Sequence, residues 1–410
     1  MAGDNLKTLN RHHLTALLAL SIAAPTFAQS SVTLYGNVDT GALYMSNYSN
    51  GVGYLPSSIN SGSGVRIKDG GLGASHWGIK GSEDLGGGLR ALFQVQGNIN
   101  SANGGTGGAN SSSQTSFFNQ MSTVGLAGSF GELKVGRQFS PVAWAMQHTD
   151  VRGMRYFGST LTALVGMNSA SSAWIGNNSN TAFGTIYNDN AVRYTTPTFA
   201  NVTLDFSYAF GESGGKANSQ QGVSAMYSAN GLKLSALVYN GYGNNYSTAV
   251  ALGTAASGGN SAAGAAMAAK AGFSPKANTN RLYGLGAMYA FGSYTVGGQY
   301  FMARNPDKVI VPGGSDSLDM WDLGAAWRVS PVVNLSAAYY HIKDNSNSGH
   351  KSTQFVLGME YYLSKRSWLY LQSAWVTNKG NNMALSPMYA SPVAANKNVR
   401  AVMAGIRHGF

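Results

Sequence analysis

The chain has 410 residues, a formal charge of +11 and no cysteine, and only 10% of its residues are charged against 44% hydrophobic. The absence of cysteine excludes disulfide staples, thiol redox chemistry and thiolate metal sites. Its bases are scattered rather than run together, which argues against a nucleic-acid partner, and polarity comes mostly from Gly, Ser, Asn and Thr, a balance better suited to a barrel in lipid than to a soluble secreted protein.

Taken in order, Lys7, Arg11, His12 and His13 precede an apolar run from Leu14 to Ala24 and a small-residue exit at Pro25-Thr26-Phe27-Ala28. This layout predicts a secretory signal peptide over residues 1–28, cleaved after Ala28. The run is too short to cross a membrane as a helix, which takes about twenty residues. Removing Lys7, Arg11 and Asp4 with it leaves +10 on residues 29–410. No later stretch approaches the length of an apolar helical span.

From Val32 to Tyr44 the residues alternate, with Thr33, Tyr35, Asn37 and Asp39 opposite Leu34, Val38 and Ala42. His76 and Lys80 oppose Trp77 and Ile79; after a turn at 81–88, Arg90, Gln94 and Gln96 oppose Ala91, Phe93 and Val95. This period of two marks half-buried strands. The unit recurs with short turns at 127–131, 196–201, 229–231, 291–293, 329–332 and 363–366. Longer connections cover about 45–73, 98–116, 140–189, 211–220, 241–279, 305–316, 344–350 and 378–397, and residues 244–279 read as a low-complexity loop. Sixteen strands are predicted in all. The last segment carries Arg400, Val402, Ala404, Ile406 and His408 on one parity, and Met403, Gly405, Arg407 and Gly409 on the other, before Phe410. A soluble sandwich also alternates. The strict alternation of short and long links, the aromatics near strand ends (Tyr44, Trp77, Phe210, Trp327, Trp375) and a closing strand on Phe410 favour a transmembrane barrel.

Several stretches, in this order, resemble general porins of the neisserial and burkholderial type over essentially all of residues 29–410. They are Ser31-Val-Thr-Leu-Tyr-Gly36, Trp77-Gly-Ile-Lys-Gly-Ser-Glu-Asp-Leu-Gly86, Gly131-Glu-Leu-Lys-Val-Gly-Arg-Gln138, Val192-Arg-Tyr194 with Pro197, Leu363-Ser-Lys-Arg366 and Gly405-Ile-Arg-His-Gly-Phe410. The resemblance implies an all-β fold, a sixteen-stranded antiparallel transmembrane β-barrel whose third external loop folds inward to narrow the pore. Connection 140–189 falls where that loop belongs. It also implies a homotrimer in contact with outer-membrane lipid and lipopolysaccharide, passing small hydrophilic solutes and anions without a cofactor. Two positions depart from the family pattern. His76 stands where Arg is usual at the start of the second strand, and Gln120 and Met121 follow Phe118-Asn119 where the family has Arg. Arg193 matches a third basic position.

By parity the inward bases are His76, Lys80, Arg90, Lys134, Arg193, Lys233 and Arg328, and the inward acids Asp39, Glu132, Asp205, Asp322 and Glu360. Strict alternation turns Arg137 outward, although a strand-end bulge would bring it in. On the long connection Arg152 and Arg155 follow His148 and Asp150; they either ring the aperture with positive charge or are solvated or paired with acids. The candidate constriction is therefore Arg152, Arg155, Arg193, His76, Gln120, Arg137, Lys80, Lys134 and Asp150. The sequence predicts a passive channel with moderate anion preference, set by Arg152, Arg155 and Arg193. That preference should rise on acidification, since an unperturbed imidazole at His76 titrates near 6.5.

A substrate-selective channel is the alternative if Trp144, Tyr156, Phe157 and Trp174 line a solute path rather than pack the loop. A barrel hydrolase is less well supported. His76, His148, His341, His350 and His408 are far apart, Asp319 and Asp322 read as lumen or rim charges, and no metal or phosphate motif occurs.

Overall fold

The computed structural model describes residues 31–49, 60–106, 117–171, 186–211, 215–243, 246, 249–250, 253–254, 256–306 and 315–410. The segment 1–28 expected to be cleaved lies outside them, as does Trp174. Seventeen strands are present: β1 Ser31–Met45, β2 Gly64–Asp69, β3 His76–Gly86, β4 Leu89–Asn98, β5 Met121–Gly128, β6 Gly131–Phe139, β7 Tyr187–Thr195, β8 Val202–Ala209, β9 Gln220–Ala229, β10 Leu232–Tyr242, β11 Asn278–Phe291, β12 Tyr294–Arg304, β13 Ser317–Ser330, β14 Val333–Asp344, β15 Lys351–Tyr362, β16 Ser367–Lys379 and β17 Val399–Gly409. Among the described residues, three complete helices accompany them, α1 Pro141–Thr149, α2 Thr160–Ser171 and α3 Ser261–Lys270.

From β3 to β17 each strand pairs antiparallel with the next, and β1 closes the ring by pairing with β3 and β17, giving a sixteen-stranded barrel. Closure matters because lipid offers no partner to a free strand edge. At the seam, Phe410 N–H donates to Gly36 O at 3.0 Å and Gly36 N–H to Phe410 O at 3.3 Å. A Cβ on Gly36 would lie 2.6 Å from the Phe410 ring, so glycine there admits the terminal phenyl. Alternation sorts the faces: Leu234 and Val238 of β10 are exposed while Ser235, Leu237 and Tyr239 are buried.

Three local readings change. The extra strand β2 lies within a stretch read as connection. It pairs with the upper part of β1, Thr40 to Met45, while β3 takes Ser31 to Asn37. Six residues flanked by glycine and serine are too short for periodicity to register. The turn expected at 81–88 shrinks to Gly87-Gly88, both at positive φ, because β3 keeps pairing with β4 through Glu83↔Ala91 and Asp84↔Arg90. Within the low-complexity connection, α3 is helical. Asn260 caps it by accepting from Ala263 N–H at 3.0 Å, and its alanine-rich body has the highest intrinsic helix propensity.

The long connection after β6 opens as α1. Ser140 accepts from Ala143 N–H at 3.2 Å, Pro141 occupies the first turn, and Val142, Ala145 and Met146 are buried. α1 packs on β8 to β12, and α2 on β13 and β14.

Candidate functional site

The segment 140–171 is fastened to residues of the polar parity. Thr149 Oγ1 lies 2.8 Å from Ser235 Oγ, and Gln299 Nε2 donates to Met146 O at 2.9 Å and to Thr149 Oγ1 at 2.7 Å. Thr160 Oγ1 donates to Gln299 Oε1 at 2.6 Å and to Asp322 Oδ2 at 3.2 Å. From the other side the β16–β17 connection clasps it: Gly158 N–H donates to Pro387 O, and Tyr389 N–H to Tyr156 O, both at 2.8 Å.

Asp150 organises the bend between the helices. Its carboxylate accepts from the N–H of Arg152 at 2.9 Å, Met154 at 2.8 Å and Thr160 at 3.3 Å. Burial pushes this carboxyl above the usual range, against the pull of those donors. It holds the backbone of the bend and is itself buried.

Arg152 is the correction of most consequence. Its side chain is fully buried, donating from Nε to Gly158 O at 2.5 Å and from Nη2 to Phe157 O at 3.1 Å. It also reaches Ser336 Oγ on β14 at 2.7 Å and Gln372 Oε1 on β16 at 2.6 Å. Gly358 makes the room, since a Cβ there would stand 2.7 Å from Nη1. Burial, followed by the neighbouring Arg155, pulls the guanidinium down to about 10, so it stays charged at neutral pH. Arg152 therefore ties the segment to the wall and presents no charge to water. Arg155 forms an ion pair with Glu360, the acid-paired arrangement weighed from sequence.

A water-sized space remains between this segment and the strands from β17 through β1 to β7. A cavity of about 220 Å³ is bordered by His76, Gln96, Gln120 and Arg407 on the wall, and by Trp144, Gln147, Met154 and Tyr156 on the segment. A second, of about 470 Å³, lies among Arg90, Lys134, Arg193, Glu132 and Asp205. Trp144 borders both.

Arg407 is the residue that sequence reasoning missed. It shares a parity with the buried Met403 and with Gly405, which is the signal that could have placed it inward. Its carboxylate partner is Asp39, in a long ion pair with Nη1 at 3.9 Å from Oδ2. That carboxylate already accepts from Tyr370 Oη at 2.8 Å and from the N–H of Leu72 at 2.8 Å. Beside it His76 opens β3, with Nδ1 at 3.0 Å from Ala74 O and the Asn37 amide adjacent. Gln120 accepts from Gln96 Nε2 at 2.5 Å.

The other predicted bases are distributed along the same wall. Lys80 is exposed over the Tyr35 ring, and Lys134 pairs with Glu132 at 2.7 Å. Arg193 is nearly neutralised: Asp205 Oδ1 accepts from Nη2 at 2.7 Å and from Nε at 3.0 Å, beneath the Trp144 ring. Arg137 sits where the β6–β7 register shifts between Gly136 and Gln138. The bulge directs it to an ion pair with Asp189, to Asn119 O at 2.7 Å and over the Tyr187 ring. Phe157 is wholly buried, whereas Trp144 and Tyr156 reach the cavity. Among the described residues no group of three His, Asp or Glu side chains could hold a metal ion.

A closed antiparallel barrel with an apolar exterior, a polar interior and a bordered water path defines a transmembrane channel of the outer-membrane type. Sequence comparison agrees: the profile of the Gram-negative porin family matches residues 14–381, and the chain belongs to that family. It is 28% identical over 417 residues to outer membrane porin protein 32 of Delftia acidovorans, covering 97% of this chain and 99% of that protein. Against the major outer membrane protein P.IB of Neisseria meningitidis serogroup B it is 29% identical over 213 residues, half of this chain and 52% of that one. Among solved structures, the anion-selective porin from Comamonas acidovorans superposes with a TM-score of 0.69 at 26% identity, covering 93% of this chain and all of that one. The protein is an outer-membrane porin, a diffusion channel.

Proposed function

We propose that this porin passes small hydrophilic solutes with a moderate preference for anions. Its aperture lies between the segment 140–171, the inward-folded loop, and the wall from β17 through β1 to β7. The observation that carries this reading is Arg407 beside His76 on the edge of the narrower cavity, with its carboxylate partner Asp39 3.9 Å away and otherwise engaged. Lys80, Arg90 and Lys134 continue the positive side of the wall. A ring or stripe of bases in a narrow aqueous gap lowers the barrier for anions. The anion-selective relative supports the sign. The homotrimer and the absence of catalysis belong to the same proposal, resting on family membership. Purified protein in planar bilayers should open in stepwise triplets, with reversal potentials in a potassium chloride gradient of the sign for anion preference. Cation preference would reject the selectivity reading, and folded protein without conductance would reject the aperture.

A further inference from the structure

The narrower cavity, between the wall and the segment 140–171, has two chemically different sides. Among the described residues that border it, Arg407 is the one permanently charged side chain, and none is a carboxylate. The guanidinium lies over the Trp368 ring at 5.5 Å, so one face is stacked and the N–H edge is left for polar contacts. Its ion-pair partner Asp39, at 3.9 Å, is already held by the N–H groups of Gly71, Leu72 and Gly73 and by the Tyr370 hydroxyl.

Two further donors at this edge have no protein partner among the described residues, Gln120 Nε2 and Trp144 Nε1. The first ends a chain of hydrogen bonds along the wall. Gln94 Nε2 donates to Tyr35 Oη at 2.6 Å, Tyr35 Oη to Gln96 Oε1 at 2.8 Å, and Gln96 Nε2 to Gln120 Oε1 at 2.5 Å. A phenol has one proton to give, so the chain runs one way and finishes on the Gln120 amide N–H. Gln120 is buried, and a buried donor left without an acceptor is destabilising. The opposite side is aromatic. Phe139 stacks on Tyr187 at 4.5 Å and meets Trp144 edge to face at 5.4 Å, while Tyr156 leans on Tyr389 at 4.7 Å.

We propose that this cavity is a recognition site for a small aromatic monocarboxylate. Its carboxylate would accept from Arg407 and Gln120, and its ring would pack among Phe139, Trp144 and Tyr156, with Trp144 supplying both a ring and an N–H. The proposal rests on the anion-preferring reading of the aperture and names the solute class it favours. Unpaired donors around one guanidinium select an acceptor with one negative charge, and arginine takes a carboxylate through two parallel N–H bonds. A second carboxylate would find no base, because Arg137 and Arg155 are paired with Asp189 and Glu360. Chloride or phosphate would use the donors and none of the rings. The cavity, about 220 Å³, is below the roughly 300–1,000 Å³ of sites for drug-sized molecules, which limits the ligand to a single ring.

The test is block of the potassium chloride current through purified porin in planar bilayers at neutral pH. Benzoate offers ring and charge, cyclohexanecarboxylate the charge with similar bulk, benzyl alcohol the ring alone, and succinate two charges. In wild type, benzoate should block about fivefold more tightly than cyclohexanecarboxylate, the size of one good aromatic contact. It should also block more tightly than succinate, and benzyl alcohol should not block. Tyr156→Leu should bring the ratio of the two monoacids towards one, and Tyr156→Phe should keep it. Arg407→Gln should weaken both monoacids about tenfold and leave their ratio in place. The wild-type ratio decides the aromatic assignment even where a variant does not fold. Equal block by the two monoacids would overturn that assignment, and tighter block by succinate would overturn the single charge. Block by benzyl alcohol as strong as by benzoate would overturn the role of the carboxylate. An unchanged ratio in Tyr156→Leu would take the ring away from the segment and overturn the site. If benzoate fails to block while reversal potentials in potassium chloride show anion preference, this site is rejected and the proposed function stands. Cation preference in potassium chloride would reject the proposed function and this site with it.

Discussion

The wall from β9 to β16 and the wall from β17 through β1 to β7 obey the same alternation, yet their inward charged residues meet different surroundings. On the first, Leu237, Leu282, Phe301, Met320, Ile342 and Val356 are buried in one cluster with Val142, Met146, Leu161 and Leu164 of the two helices, a cluster that Leu43, Met45, Met121, Tyr187 and Met403 of the second wall also join. Its acids Asp322 and Glu360 are engaged by Thr160 and Arg155. On the second, Arg90, Lys134, His76 and Arg407 border space wide enough for water, and Lys80 is exposed. Parity decides which residues point inward; whether they then touch water depends on what lies over them. A charge beneath α1 or α2 is placed to work as an anchor, and on the proposed reading the same charge on the other side works on ions.

The largest effect should come from breaking the covered half. Replacing Arg152 with Met removes the donor from Gly158 O, Phe157 O, Ser336 and Gln372 at once. Leaving buried acceptors without their charged partner should cost roughly 3–5 kcal/mol. The barrel ladder does not include Arg152, so the protein should still run as a heat-modifiable band. We expect the segment to become protease-sensitive and conductance to rise with frequent flicker. Unchanged conductance and protease resistance would show that the segment is held without this guanidinium.

On the open half, Arg407→Gln should lower the chloride-to-potassium permeability ratio. A unit charge about 4 Å from a passing ion is worth about 1 kcal/mol even in bulk water, or about fivefold. The effect should shrink at 1 M salt, where the Debye length is about 3 Å. An unaltered ratio at low salt would place the narrow point elsewhere.

Asp205→Asn sharpens the contrast in the opposite direction. It frees Arg193 from its ion pair, so anion preference should increase, by about twofold, since salt in the adjoining cavity screens the released charge. A loss of preference, or a failure to fold, would mean that the Arg193–Asp205 pair shapes the wall rather than balances its charge.

Much of this architecture was legible in sequence because alternation is local. Val333, Leu335, Ala337 and Tyr339 declare their face without help from distant residues, and sixteen such runs give the barrel. The site was less legible because coverage is not local. Nothing near Arg152 indicates that Gly358, more than two hundred residues on, leaves room for a guanidinium, or that Ser336 and Gln372 will accept from it. Arg407 was readable in principle, sharing its parity with Met403 and Gly405, but the closing strand drew attention to its apolar face. The bulge at Arg137 stood between: Gly136, at φ +115°, marks a position where a strand can break register, but the direction of the side chain depends on Asp189 and Tyr187 across β7.

His76 should give the smallest effect and the most specific one. It shares the narrower cavity with Arg407, and its Nδ1 is turned towards Ala74 O, leaving one ring face for the water path. Protonation adds a positive charge there, so anion preference of the wild type should rise as pH falls. Carboxylates around the path act with the same sign when protonated, so the histidine contribution is the part of the pH response that His76→Gln removes. Reversal potentials at low ionic strength should shift towards anion preference on acidification in the wild type, and by less in His76→Gln. In Arg407→Gln the response should persist on a lower baseline, because the two bases act on the same ion through separate charges. A full response in His76→Gln would assign it to another group and remove the imidazole from the aperture. Loss of the response in Arg407→Gln would show instead that Arg407 holds His76 in place.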